Sequence, residues 1–219
     1  METNLCVAGF GGQGVMTLGK FLAEAACESS DRNVTFFPSY GAEQRGGTAN
    51  CFVVISDQEI GAPLGDRMDD LIIMNEPSLK KFLPTLKPGG RLFLNSSIVT
   101  DDPGRDDVTI VKAPVTELAL ELGNSKVLNV IMLGVYVGYT GIVDEELVWR
   151  IIEQKLGSKP KLLPLNKKAY EEGLALGKKQ TQNSIIYRIC RGLRSAADFL
   201  PAQSAIVFLF SFQRGEIMV

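Results

Sequence analysis

A three-layer α/β/α domain on a mostly parallel mixed sheet is what this sequence predicts, and three observations predict it. Short apolar runs alternate with helix-patterned stretches from the amino end onward, the signature of βαβ units. The first run leads directly into Gly9-Phe-Gly-Gly-Gln-Gly14 and then into a helical repeat, the way a Rossmann-like sheet makes its first turn. A second glycine-rich segment, Pro38-Ser-Tyr-Gly-Ala-Glu-Gln-Arg-Gly-Gly47, follows after about one further βαβ step. With 219 residues, 45% of them hydrophobic, the chain can bury a core of that size as one domain with an appendage.

Residues 4–8 read as a buried strand. Val15, Leu18, Phe21, Leu22, Ala25 and Ala26 then recur at helical spacing as far as Glu28. Residues 33–37 are β-branched and aromatic and run into Pro38, so a strand followed by a turn is expected; residues 48–56 give the next strand. Leu71-Ile-Ile-Met74 is another, followed by Glu76-Pro77 as a helix start, a helix to Leu86, the breaker Lys87-Pro-Gly-Gly90 and a strand over 91–95. The acidic stretch 101–107, with Pro103 and Gly104 inside it, reads as an exposed loop before a strand at 108–112. Helices follow over 115–122, 127–139, 144–154 with Asp144 as cap, and 165–178.

The domain is expected to span residues 1–179, with 180–219 as a carboxyl-terminal extension. That extension opens on Gln180-Thr-Gln-Asn-Ser184, continues as an Arg-bearing amphipathic stretch over 185–200 and ends in the apolar run 205–212. Eight residues are too few to cross a bilayer as a helix, which takes about 20. Two readings stay open: a helix and strand added to the core, or a tail that docks on another chain.

Composition removes several function classes. A net charge of -2, with no Lys or Arg run longer than a pair, argues against a nucleic-acid surface. Cys6, Cys27, Cys51 and Cys190 lie far apart with no Cys-x-x-Cys, so the spacing for an iron–sulfur cluster or structural zinc is missing. Their apolar neighbours point to buried free thiols at Cys6 and Cys51. The absence of histidine takes away the commonest proton-transfer group, which weighs against a self-sufficient enzyme. The amino end enters a strand without a basic or apolar leader, so a cytoplasmic location and no membrane anchor are expected.

The first glycine segment can bring bare N–H groups to a helix N-terminus, where an anion is favoured. A dinucleotide site would want an acid near the end of the second strand, and that strand ends Phe36-Phe37-Pro38. A Walker A loop would want Ser or Thr after Lys20, and Phe21 stands there. What remains is a backbone cradle suited to phosphate, or three glycines that merely let helix and strand pack closely. In the second segment Arg45 offers a planar fork matched to phosphate or carboxylate, beside Tyr40 and Glu43. Its alternative is an ion pair with Glu43 or a partner chain.

These segments, with Ile60-Gly-Ala-Pro63, Asp70-Leu-Ile-Ile-Met74 and Asn129-Val-Ile-Met-Leu-Gly134, resemble the gamma subunit of the 2-oxoacid:ferredoxin oxidoreductases over residues 3–178. Gln44 stands where Met is more usual and Ala62 where Ser is common. The resemblance implies a complex that decarboxylates a 2-oxoacid on thiamine diphosphate, passes electrons through [4Fe–4S] clusters to ferredoxin and transfers the acyl group to coenzyme A. It implies that thiamine diphosphate and the clusters sit on alpha, beta and delta partners, and that this chain is a non-redox subunit, inactive alone, on the coenzyme A side of the site. Carried over by position, the site residues are Gly11, Gly12, Gln13 and Gly14 in the first loop and Ser39, Tyr40, Glu43 and Arg45 in the second. The form of the second motif is most similar to the 2-oxoglutarate and branched-chain 2-oxoacid subfamilies. A purely structural interaction subunit of the same complex, and an independent NAD(P) oxidoreductase, are the alternatives.

Overall fold

The computed structural model describes residues 1–29, 31–39, 48–157 and 159–197, with the backbone alone at 48 and 185–197. Grouped by internal contacts, the chain divides into two units, Met1–Lys178 and Lys179–Val219. Among the described residues of the first unit, six strands form one sheet: β1 (Glu2–Phe10), β2 (Asn33–Ser39), β3 (Thr48–Ser56), β4 (Met68–Ile73), β5 (Leu86–Asn95) and β6 (Thr109–Ala113). Their order is β2-β3-β1-β4-β5-β6. β1, β4, β5 and β6 pair in parallel, whereas β3 is antiparallel to both β1 and β2. β3 alone is reversed, and the expected mostly parallel mixed sheet is what forms.

The helices are α1 (Val15–Glu28), α2 (Glu76–Phe82), α3 (Val115–Glu121), α4 (Leu128–Thr140), α5 (Glu145–Leu156) and α6 (Leu163–Ala197). Strand alternation sorts the core into two layers. Leu5, Val7, Ile72, Met74, Phe93 and Val111 face α1, α3, α4 and α5, while Cys6, Ala8, Leu71, Ile73, Leu92 and Leu94 face α2 through Leu79 and Phe82. Coverage of both faces is why the central strands read as unbroken apolar runs rather than alternating ones. The two buried thiols fall on opposite faces, and burial pushes both up from the ordinary range, Cys51 to about 12.

Several boundaries differ from expectation for local reasons. β2 continues through Pro38 to Ser39, because it is an edge strand, where a residue lacking an N–H is tolerated. α2 stops at Phe82 and tightens into a 3₁₀ turn, Leu83–Thr85, around Pro84. The expected breaker, residues 87–90, lies inside β5: Met68 faces Leu86 but Asp70 faces Arg91, so the four residues bulge out and the ladder resumes. Asp144 caps α5 as expected, accepting from the N–H groups of Glu146 (2.8 Å) and Leu147 (3.2 Å). α6 runs without interruption through 180–184, since polar residues without Gly or Pro weaken a helix only slightly. The second unit is helical as far as Ala197, and the apolar run 205–212 lies outside the described residues.

Two features fasten the helix layer. Asp70 on β4 is fully buried and accepts from Arg91 Nε and Nη2, both at 2.6 Å, and from the Tyr136 hydroxyl of α4 at 2.8 Å. Burial opposes the Arg91 cation, yet the Asp70 carboxylate leaves it above its usual value; burial and then that same carboxylate push the Tyr136 phenol well up. The second feature is the α4/α6 crossing. Cβ atoms added at Gly134 or Gly138 would stand 2.5 Å from the carbonyl oxygens of Tyr170 and Leu174, so backbone lies directly on backbone there.

Candidate functional site at the carboxyl edge of the sheet

β1 ends in a turn closed by the Gln13 N–H donating to the Phe10 carbonyl at 3.2 Å. Gly12 (φ 98°) and Gly14 (φ 72°) take left-handed conformations, which a side chain would strain. Gly14 is the N-cap of α1, no side chain caps that end, and no acid lies in its first turn. The first bond back is Leu18 N–H to the Gly14 carbonyl at 2.9 Å. The preceding N–H groups are the orphan donors of a helix start, and Gly11 and Gly12 ahead of them are exposed.

Gln13 serves the turn itself. Its Oε1 accepts from Phe10 N–H at 2.7 Å, and its Nε2 donates to the Met74 carbonyl, just past β4, at 3.0 Å. On the other side Asn129, in the first turn of α4, donates from Nδ2 to the Gly14 carbonyl at 3.4 Å. A Cβ on Gly14 would lie 2.6 Å from that nitrogen, so left-handed geometry and close approach both demand glycine. Position-by-position expectation assigned Asn129 no contact with the loop. The signal available was one carboxamide at the head of an otherwise apolar helix, Leu128–Thr140.

The second segment reaches the same edge by register. Thr48 opens β3 opposite Phe10, and Ser39 closes β2 opposite Asn50. Both ends of the 40–47 connection therefore stand at the rim where the glycine turn begins. Ser39 is half-buried there; Tyr40, Glu43 and Arg45 lie outside the described residues. Next to the turn, Asn75 caps α2, accepting from Ser78 N–H at 3.0 Å, and Asn95 ends β5 with its Nδ2 donating to Thr116 at 2.9 Å. Asn75 Nδ2, Asn95 Oδ1 and Ser78 Oγ are buried without a hydrogen-bond partner. Polar groups thus gather where the carboxyl ends of β1, β4 and β5 meet, the edge at which open α/β sheets bind ligands. Among the described residues no cluster of three or more His, Cys, Asp or Glu could hold a metal ion, and no helix is long and apolar enough to cross a membrane.

Residues 4–176 match the family model described as pyruvate ferredoxin/flavodoxin oxidoreductase. Over 183 residues the chain is 38% identical to the ketoisovalerate oxidoreductase subunit VorA of Methanothermobacter marburgensis, covering 83% of this chain and 38% of that protein. It is 33% identical over 175 residues to the 2-oxoglutarate synthase subunit KorC of Methanocaldococcus jannaschii, 78% of this chain and 94% of that one. The chain thus spans under two fifths of the length of VorA but nearly all of KorC. Among solved structures, the gamma subunit of a keto/oxoacid ferredoxin oxidoreductase from Geobacter sulfurreducens superposes with a TM-score of 0.73 at 26% identity, covering 82% of this chain and 98% of that one. A 2-oxoglutarate:ferredoxin oxidoreductase from Magnetococcus marinus, with 2-oxoglutarate, coenzyme A and succinyl-CoA bound, gives 0.75 at 26% identity over 81% of this chain and 31% of that one.

Proposed function

The chain belongs to the pyruvate ferredoxin/flavodoxin oxidoreductase family, and from that premise we propose that it is the gamma-type subunit of a 2-oxoacid:ferredoxin oxidoreductase, contributing the coenzyme A side of the active site. The observation that carries this reading is the pairing of Phe10 with Thr48, which sets the glycine turn and the start of β3 side by side at one edge. A polyanionic carrier would meet the orphan N–H groups of Gly12, Gly14 and the first turn of α1, with Arg45 and Tyr40 supplied from the neighbouring segment. Ser39 and Glu43 complete the second loop, and Gln13 holds the first in shape. The relative from Magnetococcus marinus, which carries coenzyme A and succinyl-CoA, lends support. The 2-oxoacid is proposed to be 2-oxoglutarate or a branched-chain acid, in keeping with the KorC and VorA relatives.

Redox chemistry is assigned elsewhere in the complex. This chain has no histidine, and its cysteines, at 6, 27, 51 and 190, lack cluster spacing. Thiamine diphosphate, which stabilises the carbanion left by decarboxylation, and the [4Fe–4S] clusters are placed on alpha, beta and delta partners, which pass electrons to ferredoxin. The isolated chain is then inactive, and its role is to bind the acyl acceptor and keep water from the reaction centre. The test is Arg45→Ala in the assembled complex. The apparent KM for coenzyme A should rise by roughly tenfold or more, as expected for the loss of a charge-assisted anion contact, while decarboxylation of the 2-oxoacid continues. An unchanged KM removes Arg45 from the role. Absence of coenzyme A protection at the amides of Gly11 to Gly14 in hydrogen exchange on the whole complex would favour a purely structural subunit instead.

A further inference from the structure

We infer that Asn129 is a positioning residue for the glycine turn: from the helix layer it fixes the Gly14–Val15 peptide, whose N–H faces the proposed coenzyme A site, an inference that rests on the reading above. The argument begins with one rigid plane. The Gly14 carbonyl and the Val15 N–H share a trans peptide and point in opposite directions, so holding the oxygen aims the hydrogen. That oxygen accepts from Leu18 N–H along the helix at 2.9 Å and from Asn129 Nδ2 at 3.4 Å. The helix bond alone frays easily at a first turn with no side-chain cap. Asn129 supplies the second restraint, from a helix that is locked on the sheet two turns further along through Tyr136 and Asp70.

The contact is built for closeness. Asn129 is almost fully buried, and the space a Gly14 side chain would fill is taken by its carboxamide, 2.6 Å from the position of a Cβ. Gln13 performs the matching task from the sheet side, tying the Phe10 N–H to the Met74 carbonyl through one side chain. The peptides at both ends of the turn are therefore held, while Gly11 and Gly12 between them stay exposed. The turn presents its donors in a prepared arrangement, with little ordering left for the ligand to impose.

Asn129→Asp keeps the shape but turns an acceptor toward the Gly14 carbonyl; Asn129→Ser removes the reach. In the assembled complex both should raise the apparent KM for coenzyme A by roughly tenfold while the apparent KM for the 2-oxoacid stays within about twofold, a split that general destabilisation does not produce. The amides of Gln13 and Leu18, bonded to the Phe10 and Gly14 carbonyls, should exchange roughly tenfold faster without ligand in Asn129→Ser. Unchanged exchange together with an unchanged KM for coenzyme A overturns the inference. Gly12→Ala, which strains the turn itself at φ 98° and meets no neighbouring atom, separates the two readings. If it shifts the coenzyme A KM and the Asn129 variants change nothing, the positioning role fails and the binding site stands. If the Asn129 variants speed exchange and no variant moves that KM, Asn129 holds the turn but coenzyme A does not use it.

Discussion

Replacing Gly134 by alanine sets two principles against each other with opposite signs. Judged by helix propensity alone, the change should stabilise α4 by about 1 kcal/mol, because glycine gives up more backbone freedom than alanine on entering a helix. The structure predicts the reverse. The added Cβ would lie 2.5 Å from the Tyr170 carbonyl oxygen, 2.9 Å from Leu174 N and 3.0 Å from Gly173 Cα, all backbone atoms that cannot rotate aside. Ordinary contact begins near 3.4 Å, so α4 and α6 must part by close to an ångström at their crossing. Overpacking of this kind costs about 1–3 kcal/mol, and a clash with fixed backbone belongs at the upper end. Net of propensity, the loss is about 2 kcal/mol, which lowers Tm by about 4–8 °C in a domain of this size. Thermal unfolding followed by circular dichroism reads the difference directly. A Tm equal to or above that of the parent chain would falsify the close-packed crossing. Adding Gly173→Ala provides a second check, because helices already parted by the first methyl should accept the next at less than its separate cost.

Other outcomes follow from the buried polar groups. Arg91→Met strands the Asp70 carboxylate without its cation and should cost about 3–5 kcal/mol, whereas Tyr136→Phe, removing one donor of three, should cost about 1–3 kcal/mol. Urea titration measures both, and equal losses would contradict the assigned geometry. Cys6, Cys51 and Tyr136 all hold their protons above their ordinary values when folded. The unfolded chain therefore releases protons first as pH climbs past about 9, and stability should fall from that point upward; a denaturation midpoint that stays level between pH 8 and 11 would rule this out. In the native chain Cys27, exposed near the end of α1, should react promptly with a thiol reagent, and Cys6 and Cys51 only on unfolding. Prompt labelling at Cys51 would mean the sheet face is open.

What could be read from the sequence was whatever a local pattern determines. α1 was legible at both ends because six apolar residues at helical spacing stand between Gly14 and Ser29. β3 was legible because a β-branched and aromatic run, Phe52 to Ile55, forms the centre of the strand. The bulge in β5 was not, since residues 87–90 carry every mark of a breaker, and only pairing with β4 draws them into a ladder. Gln13 illustrates a subtler gap. Its place among glycines suggested a hand offered to a ligand, while its carboxamide is engaged with Phe10 and, across 61 positions of sequence, with Met74. Asn129 meets Gly14 across 115 positions, a distance at which composition and spacing are silent. At Tyr40, Glu43 and Arg45 the residues' chemistry, rather than a described geometry, supports the assignment.

The reversed direction of β3 has a consequence for how this scaffold can diversify. A parallel successor to β2 would have had to cross the whole sheet and start at the far rim, delivering its connection away from β1. Running backwards, β3 starts at the very rim where β2 ends, and the paired positions Ser39–Asn50 and Phe10–Thr48 hold the stems of the intervening segment. Residues 40–47 can thus vary in length and charge without disturbing the rungs beneath them.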